Sequence, residues 1–183
     1  MTKIIVSGAV GILLAFSVSL YSHEQGLMNL AFYLGMHDKA KVEKEVGDTL
    51  NLFNRNFATF FNTGGNLAGL NEFPAANMIK RRIFQEINEW KKKNQLLVYD
   101  KDSFEIENIT LLNTVTAVAV ANEVWFLNVQ EKDTRKKLSP VKANPIQVRY
   151  FLKKRDGMWG VVEYEVFGSK DDIPELKIER LYL

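Results

Sequence analysis

The chain has 183 residues, of which 46% are hydrophobic and 25% are charged, and its formal net charge is +2. These values fit one globular domain with a short extra segment, and so mild a charge does not predict nucleic-acid binding, for which a clustered basic stripe is typical. Cysteine is absent, which excludes a disulfide framework, a thiol nucleophile and a thiolate metal site. The two histidines, His23 and His37, lack the spacing of a metal or triad motif, so we expect no metal, cofactor or catalytic residue of these kinds.

The first part of the chain carries a membrane signal, an uncharged apolar run over residues 4–20. Its length is near the lower limit of roughly 17 to 25 residues for a spanning helix. A cleaved signal peptide stays an alternative, with Ser17 and Ser19 as small residues for a cleavage site. Lys3 precedes the run and Glu24 follows it, which predicts a cytoplasmic N-terminus and an exported remainder, with a bacterial inner membrane as the expected location. The expected anchor residues are Ile4, Ile5, Val6, Ile12, Leu13, Leu14, Phe16 and Leu20.

The sequence divides into three expected parts. They are residues 1–22 as a transmembrane anchor or signal peptide, 23–37 as an apolar juxtamembrane helix, and 38–183 as an exported α+β domain. The juxtamembrane helix has more apolar surface than a lone helix needs, so we expect it to lie at the membrane interface, to extend the anchor helix, or to pack against a partner or another part of the same chain. Its candidate contact residues are Leu27, Leu30 and Leu34.

Two amphipathic helices are predicted next in the chain. From Asp38, apolar residues recur at three- and four-residue steps, which is typical of a helix with one buried face. These residues are Val42, Val46, Leu50, Phe53, Phe57 and Phe60. A glycine-containing loop over residues 62–66 ends this helix. Pro74 then precedes a second helix, whose apolar stripe is Ile79, Ile83, Ile87 and Trp90.

From Gln95 onward the residues favour strands, with a polar link over residues 130–144. One predicted strand carries only small residues and valine on one face, namely Val115, Ala117, Ala119 and Ala121. Small side chains suit a strand that lies tightly under a helix. A last edge strand is expected over residues 176–183, and Pro174 limits where it can start.

The strongest hairpin signal is residues 146–167, where two alternating runs meet at Asp156-Gly157. A two-residue turn would place Glu163 and Glu165 on an apolar face. We therefore predict a three-residue loop with a bulge at Gly157, which places Arg149 opposite Glu163. In this register the apolar face carries Ile146, Val148, Tyr150, Leu152, Met158, Val162, Tyr164 and Val166. Phe151, Trp159 and Val161 are left on the opposite face as candidate partner contacts.

Helices followed by antiparallel strands and this hairpin resemble the nuclear transport factor two-like (cystatin-like cone) superfamily. The resemblance covers roughly residues 38–167, and its closest cue is Tyr150-x-Leu152, the turn, and Trp159-x-Val161. It implies two helices packed on a curved antiparallel sheet. A membrane-tethered cone is similar in architecture to the inner-membrane core component of type IV secretion systems, and also to the plastid-division inter-membrane domain. The chain departs from the secretion family in having almost no segment before the anchor.

The resemblance leaves two kinds of function open. Enzymes of this fold, such as ketosteroid-isomerase-like members, place a carboxylate or histidine base inside an apolar cone. No strand acid stands out here as an isolated acid in an apolar run with a hydrogen-bond donor nearby; the strand acids are Asp102, Glu105, Glu107, Glu123, Glu163 and Glu165. We therefore expect a non-enzymatic, membrane-anchored subunit of an envelope complex that binds protein partners, with self-association left open and no nucleic acid. The alternatives are a small-ligand binding protein or isomerase-type enzyme, and a secreted protein released by cleavage.

Overall fold

A computed structural model of the chain describes Leu34, residues 38–66 and residues 69–168. Its helices are α1 (Lys39–Thr63) and α2 (Asn77–Lys92), and its strands are β1 (Gln95–Asn113), β2 (Thr116–Glu131), β3 (Lys142–Arg155) and β4 (Met158–Phe167). The strands form one antiparallel sheet in the order β1-β2-β3-β4. Both helices pack on the same face of this sheet, here called the helix face. The predicted α+β architecture of two amphipathic helices on a curved sheet is confirmed.

Several predictions concern residues outside the described ranges. The expected anchor at residues 4–20, the partner candidates Leu27 and Leu30, and the last edge strand at residues 176–183 all lie there. Leu34 is described and is 64% exposed. Within the described ranges, no helix has both the length and the apolar character needed to cross a membrane.

The long helix α1 is closed at both ends by local features of its sequence. The Asp38 side chain accepts a hydrogen bond from the backbone N–H of Lys41 at 2.9 Å, which satisfies one of the unpaired donors of the first turn. Gly64 ends the helix in a left-handed conformation with φ of 69°, which glycine adopts without steric cost. The predicted apolar stripe faces the sheet, and Asn54 is buried on the same face.

The strand of small residues lies beneath the helices, as its composition predicts. Ala117, Ala119 and Ala121 of β2 are all 0% exposed and belong to the core between the layers. Large phenylalanine side chains of α1 occupy the space above them. The core therefore combines small side chains from the sheet with large side chains from the helix.

The turn of the β3–β4 hairpin differs from the predicted one. Arg155 pairs with Met158, so the loop has the two residues Asp156 and Gly157, at φ of 50° and 79°. Two successive positive φ angles are the mark of the tight turn that matches the twist of a hairpin. The predicted bulge at Gly157 is wrong. Arg149 pairs with Glu165 instead of Glu163, and their side chains form an ion pair at 3.3 Å.

A bulge within β4 explains how a two-residue turn is compatible with the positions of the two glutamates. Phe151 pairs with Glu163 and Leu152 with Val161, so Val162 is an extra residue on β4. An extra residue reverses the alternation beyond it. Trp159 and Val161 therefore reach the helix face before the bulge, while the two later glutamates still point away from that face. The carboxylates that argued against a two-residue turn never enter the apolar face.

The bounds of the first three strands also differ from the sequence pattern. β1 is one strand of 19 residues, with register shifts at three places that absorb its irregular alternation. Charged residues 100–102 interrupt its apolar pattern but keep the extended conformation. The polar link shortens to residues 132–141, because β2 and β3 both extend into the predicted loop.

Candidate functional site

The most unusual group on the helix face is the carboxyl group of Glu123, which is only 3% exposed. Three donors converge on its two oxygens. The Tyr150 hydroxyl donates to Oε1 at 2.5 Å, the Asn54 side-chain amide to the same oxygen at 3.3 Å, and the Trp125 indole N–H to Oε2 at 2.6 Å. The Tyr150 hydroxyl oxygen also lies 3.1 Å from the side-chain oxygen of Asn54. We call these four residues the Glu123 cluster.

The Glu123 cluster is built from three separate elements. Asn54 comes from the buried face of α1, Glu123 and Trp125 come from β2, and Tyr150 comes from β3. Glu123 and Trp125 are two residues apart on one strand, so both side chains point to the same face. The pairing of β2 with β3 brings Tyr150 within reach of them.

Burial sets the protonation behaviour of the Glu123 cluster. It raises the pKa of Glu123 above the ordinary 4.5, and the three donated hydrogen bonds oppose this rise without cancelling it. Burial, followed by the nearby Glu123 carboxylate, raises the pKa of Tyr150 well above its ordinary value. Tyr150 therefore stays a hydrogen-bond donor to Glu123 across neutral pH.

Aromatic rings fill the interior around this cluster. Phe53 packs edge-on against Tyr150 with ring centroids 5.7 Å apart, and Tyr99 packs edge-on against Trp125 at 5.8 Å. A cleft of about 740 Å³ runs along the surface between α1 and β1, and Asn54 and Tyr99 line it. Asn54 thus joins this cleft to the carboxyl group of Glu123, to which it donates. Glu123 also lines a second pocket, of about 310 Å³.

The partner contacts predicted on the hairpin do not share one exposed face. Trp159 is 5% exposed and Val161 is 0% exposed, both in the core on the helix face, and the Trp159 indole donates to Glu45 at 3.2 Å. Their predicted placement on the outer face is wrong because the turn has two residues instead of three, which pairs Trp159 with Lys154 and Val161 with Leu152. Phe151 does lie on the face opposite the helices, here called the second face, but it is only 8% exposed.

The sequence pattern missed the role of Glu123 because its neighbours along the chain are Asn122 and Val124, and no aromatic donor adjoins it except Trp125. The one local signal was an acid on the small, apolar face of β2, in register with the alanines. Its other two donors are distant in sequence. Tyr150 is 27 residues away and Asn54 is 69 residues away.

The described ranges do not meet the requirements of a metal site. No group of three or more histidine, aspartate or glutamate residues there could hold a metal ion.

Comparison with known proteins gives a likeness of fold. No protein-family model and no curated protein matches the sequence. Among solved structures, the intermembrane space region of the chloroplast protein ARC6 is similar, with a TM-score of 0.58 and 12% identity over 73% of this chain and 98% of that one. An NTF2-like protein of unknown function from Prochlorococcus marinus has a TM-score of 0.40 and 16% identity, over 71% of this chain and 94% of that one. At 12% identity the first likeness shows a shared fold alone.

Proposed function

We propose that the protein is a membrane-anchored, non-enzymatic subunit or assembly factor of an envelope protein complex, in the manner of secretion-type machinery. Its exported α+β domain binds protein partners. The observation that carries this proposal is the packing of the interior. Within the described ranges, the carboxyl group of Glu123 is 3% exposed, accepts hydrogen bonds from three side chains and is surrounded by aromatic rings, so its oxygens are already occupied by partners from the protein itself.

Exposed apolar side chains on the edge strand β4 support a role in binding. Met158 is 73% exposed and Val166 is 55% exposed. Beside the hairpin tip, a cleft of about 620 Å³ is lined by Met158 together with Leu52 and Phe73. An edge strand with unpaired backbone groups and apolar side chains is a common place for a partner to add. The shared fold with an intermembrane space region of another protein fits this proposal.

Site-specific photocrosslinking in intact cells tests the proposal. A photoreactive amino acid is placed at Met158 or Val166 in the full chain, and at Arg55 on the exposed side of α1 as the matched control. We expect a discrete protein adduct from the β4 positions and a weaker one from Arg55. Alkaline carbonate extraction and intact-mass measurement of the same samples test the anchor separately, because a cleaved chain would be lighter and extractable.

Two outcomes would contradict the proposal. One is a monodisperse monomer in non-ionic detergent with no crosslinked protein from any of the three positions. The other is adduct formation at Arg55 equal to that at the β4 positions, which would show random collision.

The Glu123 cluster favours one second function, an isomerase-type enzyme or small-ligand binding protein that uses the interior. A carboxyl group with a raised pKa beside a tyrosine donor is an arrangement that proton-transfer enzymes use. This alternative requires a ligand to reach the carboxyl group, either past Asn54 and Tyr99 or from the pocket that Glu123 lines. A small-ligand screen by thermal shift, with Glu123→Gln and Tyr150→Phe compared with Tyr164→Phe, decides between the two. Ligand stabilisation that Glu123→Gln abolishes and Tyr164→Phe leaves intact would favour the alternative.

A further inference from the structure

The second face carries a pocket away from the hairpin tip, and Glu123 is among the residues that line it. Its volume is about 310 Å³, and its lining includes Ser103, Glu105, Asn122 and Gln147. The last three residues lie side by side in register across β1, β2 and β3. Their side chains therefore share one face of the sheet.

Gln147 provides an unusual feature of this pocket. Its side chain is 3% exposed, and its amide nitrogen donates to Glu107 at 2.6 Å and to Asn122 at 2.9 Å. Its amide oxygen, Oε1, is buried and has no hydrogen-bond partner among the residues that the structure describes. Exchanging the oxygen and nitrogen would bring an oxygen against two acceptor oxygens, so the neighbours fix the orientation of the amide. A buried acceptor without a donor is costly, which makes it a strong site for an incoming donor.

The charge around this acceptor specifies what kind of donor fits. Glu105 lines the pocket at an exposed position. Arg149, two residues along β3, forms an ion pair with Glu165 at 3.3 Å and does not line the pocket. Among the described lining residues there is no lysine, arginine or histidine. The pocket thus presents an amide acceptor within a negative surrounding.

We propose that this pocket binds a cationic N–H donor of the guanidinium or ammonium type. One N–H of the ligand donates to Oε1 of Gln147, and its charge lies beside Glu105. Guanidinium fits well because its planar set of N–H groups can contact a carboxylate and an amide oxygen together. The source is an arginine or lysine side chain of another protein, or a free polyamine. This site goes beyond the proposed function, because it could bind a free polyamine even if the protein belongs to no complex.

Titration of the full chain in non-ionic detergent at low salt tests the pocket. The probes are N-acetylarginine amide, N-acetyllysine amide, spermidine and the neutral isostere N-acetylcitrulline amide. The readout is the NMR shift of the Ser103 and Asn122 backbone amides. We expect saturable shifts with the cations and none with the citrulline compound. Tighter binding of the amino-acid amides indicates a protein side chain, tighter binding of spermidine indicates a free polyamine, and either result supports the site.

Variants make the test specific to the acceptor. Gln147→Leu should weaken binding of the cations at least tenfold, and Glu105→Gln, at an exposed position that tolerates change, should weaken it several-fold. Gln130→Leu is the matched control, because Gln130 also donates its amide to an asparagine, Asn128, at 3.0 Å but lies outside the pocket. The proposal is overturned by equal affinity for the citrulline compound, by shifts that do not saturate, or by equal losses in Glu105→Gln and Gln130→Leu.

Discussion

At the scale of single residues, two glutamates show how surroundings set opposite acid strengths. Glu123 is buried, and desolvation raises its pKa. Glu45 is 35% exposed along its side chain, and a hydrogen bond from Lys154 at 2.7 Å lowers its pKa, with the Trp159 indole adding to this effect. Both accept hydrogen bonds from a tryptophan indole. The two pKa shifts therefore differ in direction because Glu123 is buried, whereas Glu45 accepts a hydrogen bond from a lysine.

Glu123→Gln should change how stability depends on pH. Between the ordinary pKa of 4.5 and its raised folded value, the folded protein holds a proton that the unfolded chain has released. The contribution of Glu123 is thus fully present below about pH 4.5 and is lost as pH rises through the folded pKa. The variant also leaves one of three donors without an acceptor, which costs about 1–3 kcal/mol. Urea unfolding from pH 4 to 8 should show the advantage of wild type over the variant shrinking with rising pH.

Glu45→Gln is the control with the opposite sign. Its folded pKa lies below that of the unfolded chain, so its contribution is present above the unfolded pKa and is lost as pH falls through the folded pKa. The advantage of wild type over this variant should grow as pH rises. Parallel pH profiles for the two variants would contradict the assigned shifts.

At the scale of elements, the chain itself covers part of each outer strand of the sheet. The Asn62 side chain, near the end of α1, donates to the Tyr99 carbonyl at 2.7 Å and accepts from its N–H at 2.8 Å, as a neighbouring strand would. On β4, Val161 donates to the Pro74 carbonyl and accepts from the Ala76 N–H, both at 2.8 Å. Such contacts limit edge-to-edge association at these points. The remaining length of β4, which carries Val166, stays the place where we expect a partner.

The hairpin turn provides a test of a backbone effect alone. Gly157 has φ of 79°, and a Cβ added there would meet nothing within 4 Å. Gly157→Ala should therefore lower the free energy of unfolding by about 1–2 kcal/mol, since only the left-handed conformation opposes it. Urea unfolding of the full chain measures the change.

A second glycine variant checks the interpretation of the first. Gly47 lies inside α1, where an added Cβ would be 3.5 Å from Ile106 in ordinary contact. Gly47→Ala should raise stability by about 0.5–1 kcal/mol, because alanine loses less conformational freedom in a helix. A loss of stability in Gly47→Ala, or none in Gly157→Ala, would show that side-chain packing decides at these positions.

At the scale of the whole molecule, the alanine strip of β2 sets the distance between the helices and the sheet. Ala119 is 0% exposed in the core and pairs with Ile109 on one side and Tyr150 on the other. A larger side chain there must displace the layer above it, since protein cores have little free space.

Ala119→Leu should destabilise the domain by about 1–3 kcal/mol through overpacking. Val120→Leu is the control, because Val120 is the next residue of the same strand but lies half-buried on the second face. It should change stability by about 0.5 kcal/mol or less. Thermal unfolding of both variants measures the difference. Equal losses would mean that both faces of β2 are packed with the same tightness.

Periodicity in the sequence determined which segments become helices and strands. The three- and four-residue steps of α1 and the alternation of β2 arise from side-chain direction within one element. Neighbouring residues contain that information. The buried face of α1, the isoleucine stripe of α2 and the alanine strip of β2 were therefore predicted correctly from the residues alone.

Only the tertiary structure decided the register beyond Val162 and the surroundings of Glu123. The two-residue turn placed Trp159 and Val161 in the core instead of on the expected outer face, and one extra residue in β4 then kept Glu163 and Glu165 off the helix face. Alternation cannot reveal such a bulge, because the pairing partner decides where the extra residue fits. The Glu123 cluster likewise joins side chains separated by up to 69 residues, and their meeting depends on strand pairing and helix packing, which no local pattern contains.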